Sequence, residues 1–216
     1  MLPYYAVKLL SRIVCLLPHG VAMRIGAGLA WLLWPLVPAR RKRLACAQAA
    51  RCLHVSAQEA ARIARESTLR FGPMLMEVLR FPVMRPHMGD FVTITGAADE
   101  VRAAIADGKG AIFATSHSGN WELMGGAFAS AGFPVVGVAK KQSSAEMDRF
   151  INEYRALVGM HITYRSGVRE MFRMIDKGWI IGLLSDQDPF LRDGVIIEFF
   201  GQQTNAFTGA AAIARR

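Results

Sequence analysis

The chain has 216 residues, of which 52% are hydrophobic and 20% charged, with a mean hydropathy of +0.24. It is long enough for a sizeable core but more apolar than an ordinary soluble domain, and one α/β domain with an apolar appendage fits. Residues 1–85 carry 13 Lys/Arg against 3 Asp/Glu and the remainder 13 against 14. This basic and apolar front suits an anionic membrane surface and argues against nucleic acid, which is met by a basic face interleaved with polar and aromatic residues.

In chain order, residues 2–17 place Tyr5, Leu9, Ile13 and Leu16 at helical spacing, with Lys8, Ser11 and Arg12 on the opposite side. That pattern predicts an amphipathic helix lying at a membrane interface. Residues 20–37 are nearly all apolar but hold Arg24 and Pro35, and they fall slightly short of the ~20 residues that span a bilayer, which favours embedding in one leaflet. The cluster Arg40, Arg41, Lys42 and Arg43 then keeps the downstream domain on the cytoplasmic side by the positive-inside rule. The alternative is that residues 1–38 form a helical hairpin packed on the protein's own core. A cleavable signal peptide fits poorly, because Lys8 and Arg12 interrupt the first apolar run. Cys15, Cys46 and Cys52 are odd in number and lack metal-ligand spacing, as expected of reduced, buried thiols in the cytoplasm. The motif Ser56-Ala-Gln-Glu59 is a capping box and predicts a helix from residue 57 to the Gly72-Pro73 break. A further helix over 74–81 ends at Pro82, with 82–86 as a link.

Past Asp90 short apolar runs alternate with amphipathic stretches. Strands are predicted at 91–95, 111–115, 135–139, 161–164, 179–184 and 195–199, with the 111–115 strand buried on both faces. Helices are predicted at 99–107, 122–131, 144–158 and 167–177. The alternation predicts an α/β fold, a mainly parallel central sheet flanked by helices, preceded by the helical membrane anchor. The expected divisions are 1–43, the membrane-associating segment; 44–86, a helical scaffold; and 87–216, the catalytic domain.

Ligands in such sheets gather at the carboxyl ends of strands. There the chain places Ala114-Thr-Ser-His-Ser-Gly-Asn-Trp-Glu122 and Asp186-Gln-Asp188. An imidazole can take a proton from a hydroxyl, so His117 suits a general base, and Glu122, in a His-x4-Glu pattern, is expected to hold its ring. Ser118, Gly119 and Asn120 form a turn whose free amides, at a helix N-terminus, suit an oxyanion, and Asn120 also reads as an N-cap. Arg165 is a candidate phosphate clamp, or a solvated surface residue. A metal held by Asp186 and Asp188, with His161, is the weaker alternative, and His161 reads better as a packing residue.

These blocks resemble the bacterial lipid A biosynthesis lauroyl/myristoyl acyltransferase family, within the wider glycerolipid acyltransferase group. The matching features, in order, are the Leu2-Pro-Tyr-Tyr start with its basic exit, the His-Ser-Gly-Asn-Trp-Glu block, the spacing Arg155-x3-Gly159-x5-Arg165 ahead of Lys177-Gly178, and the run from Asp186-Gln187-Asp188 to Phe199-Phe-Gly201. The resemblance implies transfer of a fatty acyl group from an acyl carrier protein thioester or acyl-CoA to a hydroxyl of a membrane glycolipid, with no cofactor. The work is expected at the cytoplasmic face of the inner membrane. The resemblance carries His117 and Glu122 over as the catalytic pair, and Arg165, Asp186 and Gln187 as site-lining residues. Competing readings are a lysophospholipid acceptor, a metal-assisted membrane hydrolase built on His117, Asp186 and Asp188, and an inactive membrane-binding homologue. Family members usually continue further, and residues 208–216 read as a helix cut short.

Overall fold

A computed structural model describes residues 2–96, 98–187 and 194–215. The helical front consists of α1 (Leu2–Cys15), α2 (His19–Leu33), α3 (Ala39–Leu53), α4 (Ala57–Leu69), α5 (Phe71–Leu79) and the short α6 (Phe81–Met84). Then come α7 (Ala98–Ala106), β1 (Ala111–Thr115), α8 (Trp121–Ser130), β2 (Val135–Ala139), α9 (Ala145–Leu157), β3 (His161–Tyr164), α10 (Val168–Ile175) and β4 (Ile180–Leu184). A hairpin of β5 (Gly194–Phe199) and β6 (Gln202–Phe207) precedes α11 (Gly209–Ala214).

Strands β1 to β4 form one parallel sheet in the order β1-β4-β2-β3, which bears out the α/β reading. The chain steps one way across the sheet through α8 and α9, then returns through α10. If the usual right-handed crossover is kept, that reversal moves the connecting helix to the other face. The packing agrees, because Met171, Met174 and Ile175 of α10 meet Val136 and Ile181, whereas α8 and α9 share a second core with the helical front. The 111–115 strand is not buried on both faces as expected. It is the sheet's edge, and its residues are half-buried or exposed.

Helix α1 reverses the expected use of its polar side. Tyr4, Ser11 and Val14 are the buried residues, while Tyr5, Leu9, Ile13 and Leu16 are exposed. Lys8 and Ser11 of the polar side dock on the protein, while Arg12 is exposed. Tyr154 donates its hydroxyl to Ser11 Oγ at 2.5 Å, and Ser11 donates on to the Leu79 carbonyl at 2.6 Å. Lys8 and the Tyr4 hydroxyl both bond Glu153 at 2.5 Å. The buried Arg80 guanidinium caps the end of α1 through the carbonyls of Val14 (2.7 Å) and Leu17 (2.5 Å). Each of these contacts joins a particular pair of groups, so α1 is held in one register and its apolar stripe is turned outward.

Helix α2 crosses α5 backbone to backbone. A Cβ on Gly72 would lie 2.1 Å from the Gly26 carbonyl oxygen, so only glycine permits this approach. No single helix among the described residues is long and apolar enough to cross a membrane. The pair His19–Leu36 and Ala39–Leu53 meets the length and composition test only together, bent by 106°. The Ser56 cap is as predicted, its Oγ accepting from the Glu59 amide at 3.2 Å.

Other expectations are corrected. Gly72-Pro73 opens α5 instead of breaking a helix, since the missing N–H of proline costs nothing in a first turn. The 82–86 link is instead α6 and a 3-10 turn, Arg85–Asp90, with Phe81, Met84 and Met88 buried. Residues 91–95 alternate like a strand but pair with no strand among the described residues; Val92 packs against the core shared by α8, α9 and the helical front, and Ile94 against Phe133, Val135 and Ile180. Cys15, Cys46 and Cys52 are half-buried, which does not meet the expectation of burial.

Replacing Ser11 by Ala strands a buried tyrosine hydroxyl and a carbonyl, and should cost about 1–3 kcal/mol of stability by urea unfolding. Arg12→Ala on the exposed side should change it by less than about 0.5 kcal/mol.

Candidate active site

Thr115 and Leu184 are paired in register at the ends of β1 and β4. The ladder continues one step as the Ser185 amide donates to the Thr115 carbonyl at 2.9 Å. His117 and Asp186 each lie two residues past that pair, so parallel register alone brings them together. His117 Nδ1 sits 2.8 Å from Asp186 Oδ1, and the His117 backbone N–H donates to Asp186 Oδ2 at 3.0 Å. One carboxylate thereby fixes both the ring and the main chain that carries it. Burial by itself would raise the Asp186 carboxyl, but the ring and backbone hydrogen bonds from His117 outweigh it and hold the group below its ordinary value. Trp121 lies edge-on to the imidazole, with centroids 5.0 Å apart, and Phe71 packs on Trp121 in turn. Nε2 of His117 has no hydrogen-bond partner among the described residues.

Glu122 does not hold the His117 ring, contrary to expectation. It is 7% exposed in the first turn of α8. Both of its oxygens are taken by Arg155 of α9, from Nε at 2.8 Å and Nη2 at 2.5 Å. Arg155 also reaches Asn152 Oδ1 at 3.3 Å. Asn152 in turn donates to the Tyr164 hydroxyl at 2.8 Å, and that hydroxyl donates to Asp148 at 2.5 Å. The Gln142 backbone N–H, followed by the Tyr164 hydroxyl, holds the Asp148 carboxyl below its ordinary value. Glu122 is thus the buried end of a network that fixes α8 against α9 and β3. Sequence reasoning assigned Arg155 no chemical role, although it opens the Arg155-x3-Gly159-x5-Arg165 spacing.

The site opens on a cavity of about 650 Å³ between α8, α9, the α1 and α5 side chains, and one face of the sheet. His117, Glu122, Arg155, Arg165 and Gln187 line it among mainly apolar side chains. Arg165 is exposed, with its guanidinium 5.7 Å from the Phe207 ring. Ser118 and Gly119 lie on the outer turn, where Gly119 is exposed and takes φ +62, and their amides make no hydrogen bond among the described residues. Asn120 is the predicted cap, accepting from the Leu123 amide at 3.0 Å. Its amide group, however, turns away to Glu77 at 2.7 Å, so it belongs to the helical layer.

His161 begins β3 and pairs with Glu170 at 3.5 Å. In a parallel sheet that end is opposite the one carrying Asp186, so His161 and Asp186 cannot share one ion. Asp188 lies outside the described residues.

Against known protein families, residues 1–216 match the one described as Bacterial lipid A biosynthesis acyltransferase. The chain belongs to that family. It is 28% identical to a phosphatidylinositol mannoside acyltransferase of Mycobacterium tuberculosis (strain CDC 1551 / Oshkosh) over 151 residues, 67% of this chain and 48% of the relative. It is also 28% identical to the protein of that name from Mycolicibacterium smegmatis (strain ATCC 700084 / mc(2)155) over 156 residues, 69% of this chain and 51% of the relative. The chain spans about half the length of the curated relatives it matches.

In this lipid A acyltransferase family chain, Glu122 is buried and Arg155 largely so, with 8% and 14% of the side chains exposed. Arg155→Leu leaves a buried carboxylate unpaired and should cost about 3–5 kcal/mol. The double variant Glu122→Leu with Arg155→Leu should recover much of that loss in the same unfolding measurement.

Proposed function

We propose that this chain transfers a fatty acyl group from a thioester, acyl carrier protein or acyl-CoA, to a hydroxyl of a membrane glycolipid, with a lipid A precursor the first candidate acceptor. The observation that carries the reading is the His117–Asp186 pair at an apolar cavity. A base with one ring nitrogen anchored and the other free, beside space for a hydrocarbon chain, fits attack of an alcohol on an acyl thioester. The relatives named for a mannoside acceptor support a sugar-bearing lipid over a lysophospholipid.

Nε2 of His117 takes the proton as the acceptor oxygen attacks the thioester carbonyl, and Asp186 stabilises the resulting imidazolium. Charge develops on the carbonyl oxygen, where the free amides of Ser118 and Gly119 are suited to receive it. Collapse breaks the C–S bond, and the departing thiolate takes the proton back from His117. The products are an ester and a thiol. A thioester is already activated, so no step calls for a metal or an organic cofactor. Arg165 at the cavity rim is suited to a phosphate of the acceptor or of the donor's pantetheine arm.

The outward apolar stripe of α1 and the cluster from Arg40 to Arg43 would hold this site on an anionic leaflet, at the cytoplasmic face of the inner membrane where such an acceptor lies.

Incubating the purified chain in lipid with labelled acyl donor and candidate acceptors tests the reading. His117→Ala should abolish transfer, and Asp186→Asn should lower it about 10²–10⁴-fold. Both variants should still bind anionic vesicles. Full turnover by His117→Ala would reject the base assignment.

A further inference from the structure

The cavity face of the sheet is uneven in a way that bears on which acyl chain it accepts. Strand β4 presents Leu184, Gly182 and Ile180 to the cavity, and β2 presents Ala139, Gly137 and Val135. Gly137 and Gly182 are register partners on neighbouring strands, as are Val135 and Ile180. The middle rung carries no side chain of its own, while the rung farther from His117 is bulky; beside Gly137 the space is taken by Ile162, whose Cδ1 would lie 3.1 Å from a Cβ there. Glycine weakens a strand interior, so two side by side in a central pair need a reason. Neither takes a positive φ. A Cβ on Gly182 would meet only the Val136 carbonyl oxygen, at 3.6 Å, which is ordinary contact. Nothing in the backbone or its packing requires glycine at 182; the space its missing side chain leaves belongs to the cavity.

Beyond the glycine rung the lining is bulky. Ile180 and Val135 are buried in a core with Phe133, against which Phe113 and Phe128 pack. The three rings follow one another in tilted and edge-to-face contact, with Phe113 to Phe128 centroids at 5.1 Å and Phe128 to Phe133 at 5.4 Å. On the opposite helix the space beside Gly125 is filled by Met160, whose methyl would lie 2.5 Å from a Cβ there, so that glycine is set by packing.

We propose that the surface left open at Gly182 is the bed on which a single straight acyl chain lies, and that Ile180, Val135 and Phe128 stop its end. These residues then set the chain length that the enzyme selects. The four-residue step along β4 from Leu184 to Ile180 makes the straight part of the bed roughly 13 Å long. The inference rests on the acyl-transfer reading, since it assigns the cavity to the donor's hydrocarbon chain.

Binding of a graded series of straight-chain fatty acids, from short to long, is measured for the unaltered chain, Gly182→Val and Phe128→Ala, alongside thermal unfolding. The unaltered chain should show affinity rising with length to a limit. Gly182→Val should keep its unfolding temperature or raise it, because valine favours a strand. It should also lose affinity for the longer acids by about fourfold for each methylene that no longer fits. Phe128→Ala should move the limit toward longer acids; if Gly182→Val fails to fold, Gly182→Ala replaces it with a smaller shift in the same direction. A folded position-182 variant with an unchanged length profile overturns the chain-length role while leaving the acyl-transfer reading in place. Failure of the unaltered chain to bind any acid overturns both.

Discussion

The site depends on the parallel pairing of β1 with β4. Because Thr115 and Leu184 are partners, the loops that leave these strands start side by side, and His117 meets Asp186 across 69 residues of sequence. The Asp186 carboxylate then takes both the ring nitrogen and the backbone amide of His117. A shift of one residue in that register would separate the pair and turn the cavity-facing residues of β4 to the α10 side. The same register places Gly137 beside Gly182 and Val135 beside Ile180, so chemistry at the strand ends and the shape of the cavity below share one cause.

The second acid does different work. Glu122 has given both oxygens to Arg155, and through Asn152 and Tyr164 the network reaches Asp148. It ties the helix after the His117 loop to α9 and β3, with polar groups that each have a stated partner. Helix α1 is fastened to α9 in the same manner, through Ser11, Tyr154 and Glu153. Its hydrophobic stripe is left on the outside by that choice.

Much of the fold is legible in the sequence because its signals are local. The apolar runs of β1 to β4, the Ser56 cap and the Asn120 cap depend on neighbours a few residues away, and each forms as expected. Strand pairing is not local. The order β1-β4-β2-β3 decides which acid reaches His117, and closeness in sequence wrongly favours Glu122 over Asp186. The alternating 91–95 segment mimics a strand but finds no partner, whereas β6, with its Gln-Gln-Thr-Asn run, lacks the apolar pattern that would announce it. Helix α1 is amphipathic as its spacing predicts, yet Lys8 and Ser11 of its polar side face protein; only the partners Tyr154 and Glu153, far along the chain, decide that.

Ring-nitrogen chemical shifts of His117, compared among the unaltered chain, Asp186→Asn and Glu122→Gln, report which carboxylate holds the imidazole. The neutral ring should carry its proton on Nδ1, lose that preference in Asp186→Asn and keep it in Glu122→Gln. A ring that is unmoved by Asp186→Asn but changes tautomer in Glu122→Gln would contradict the assignment.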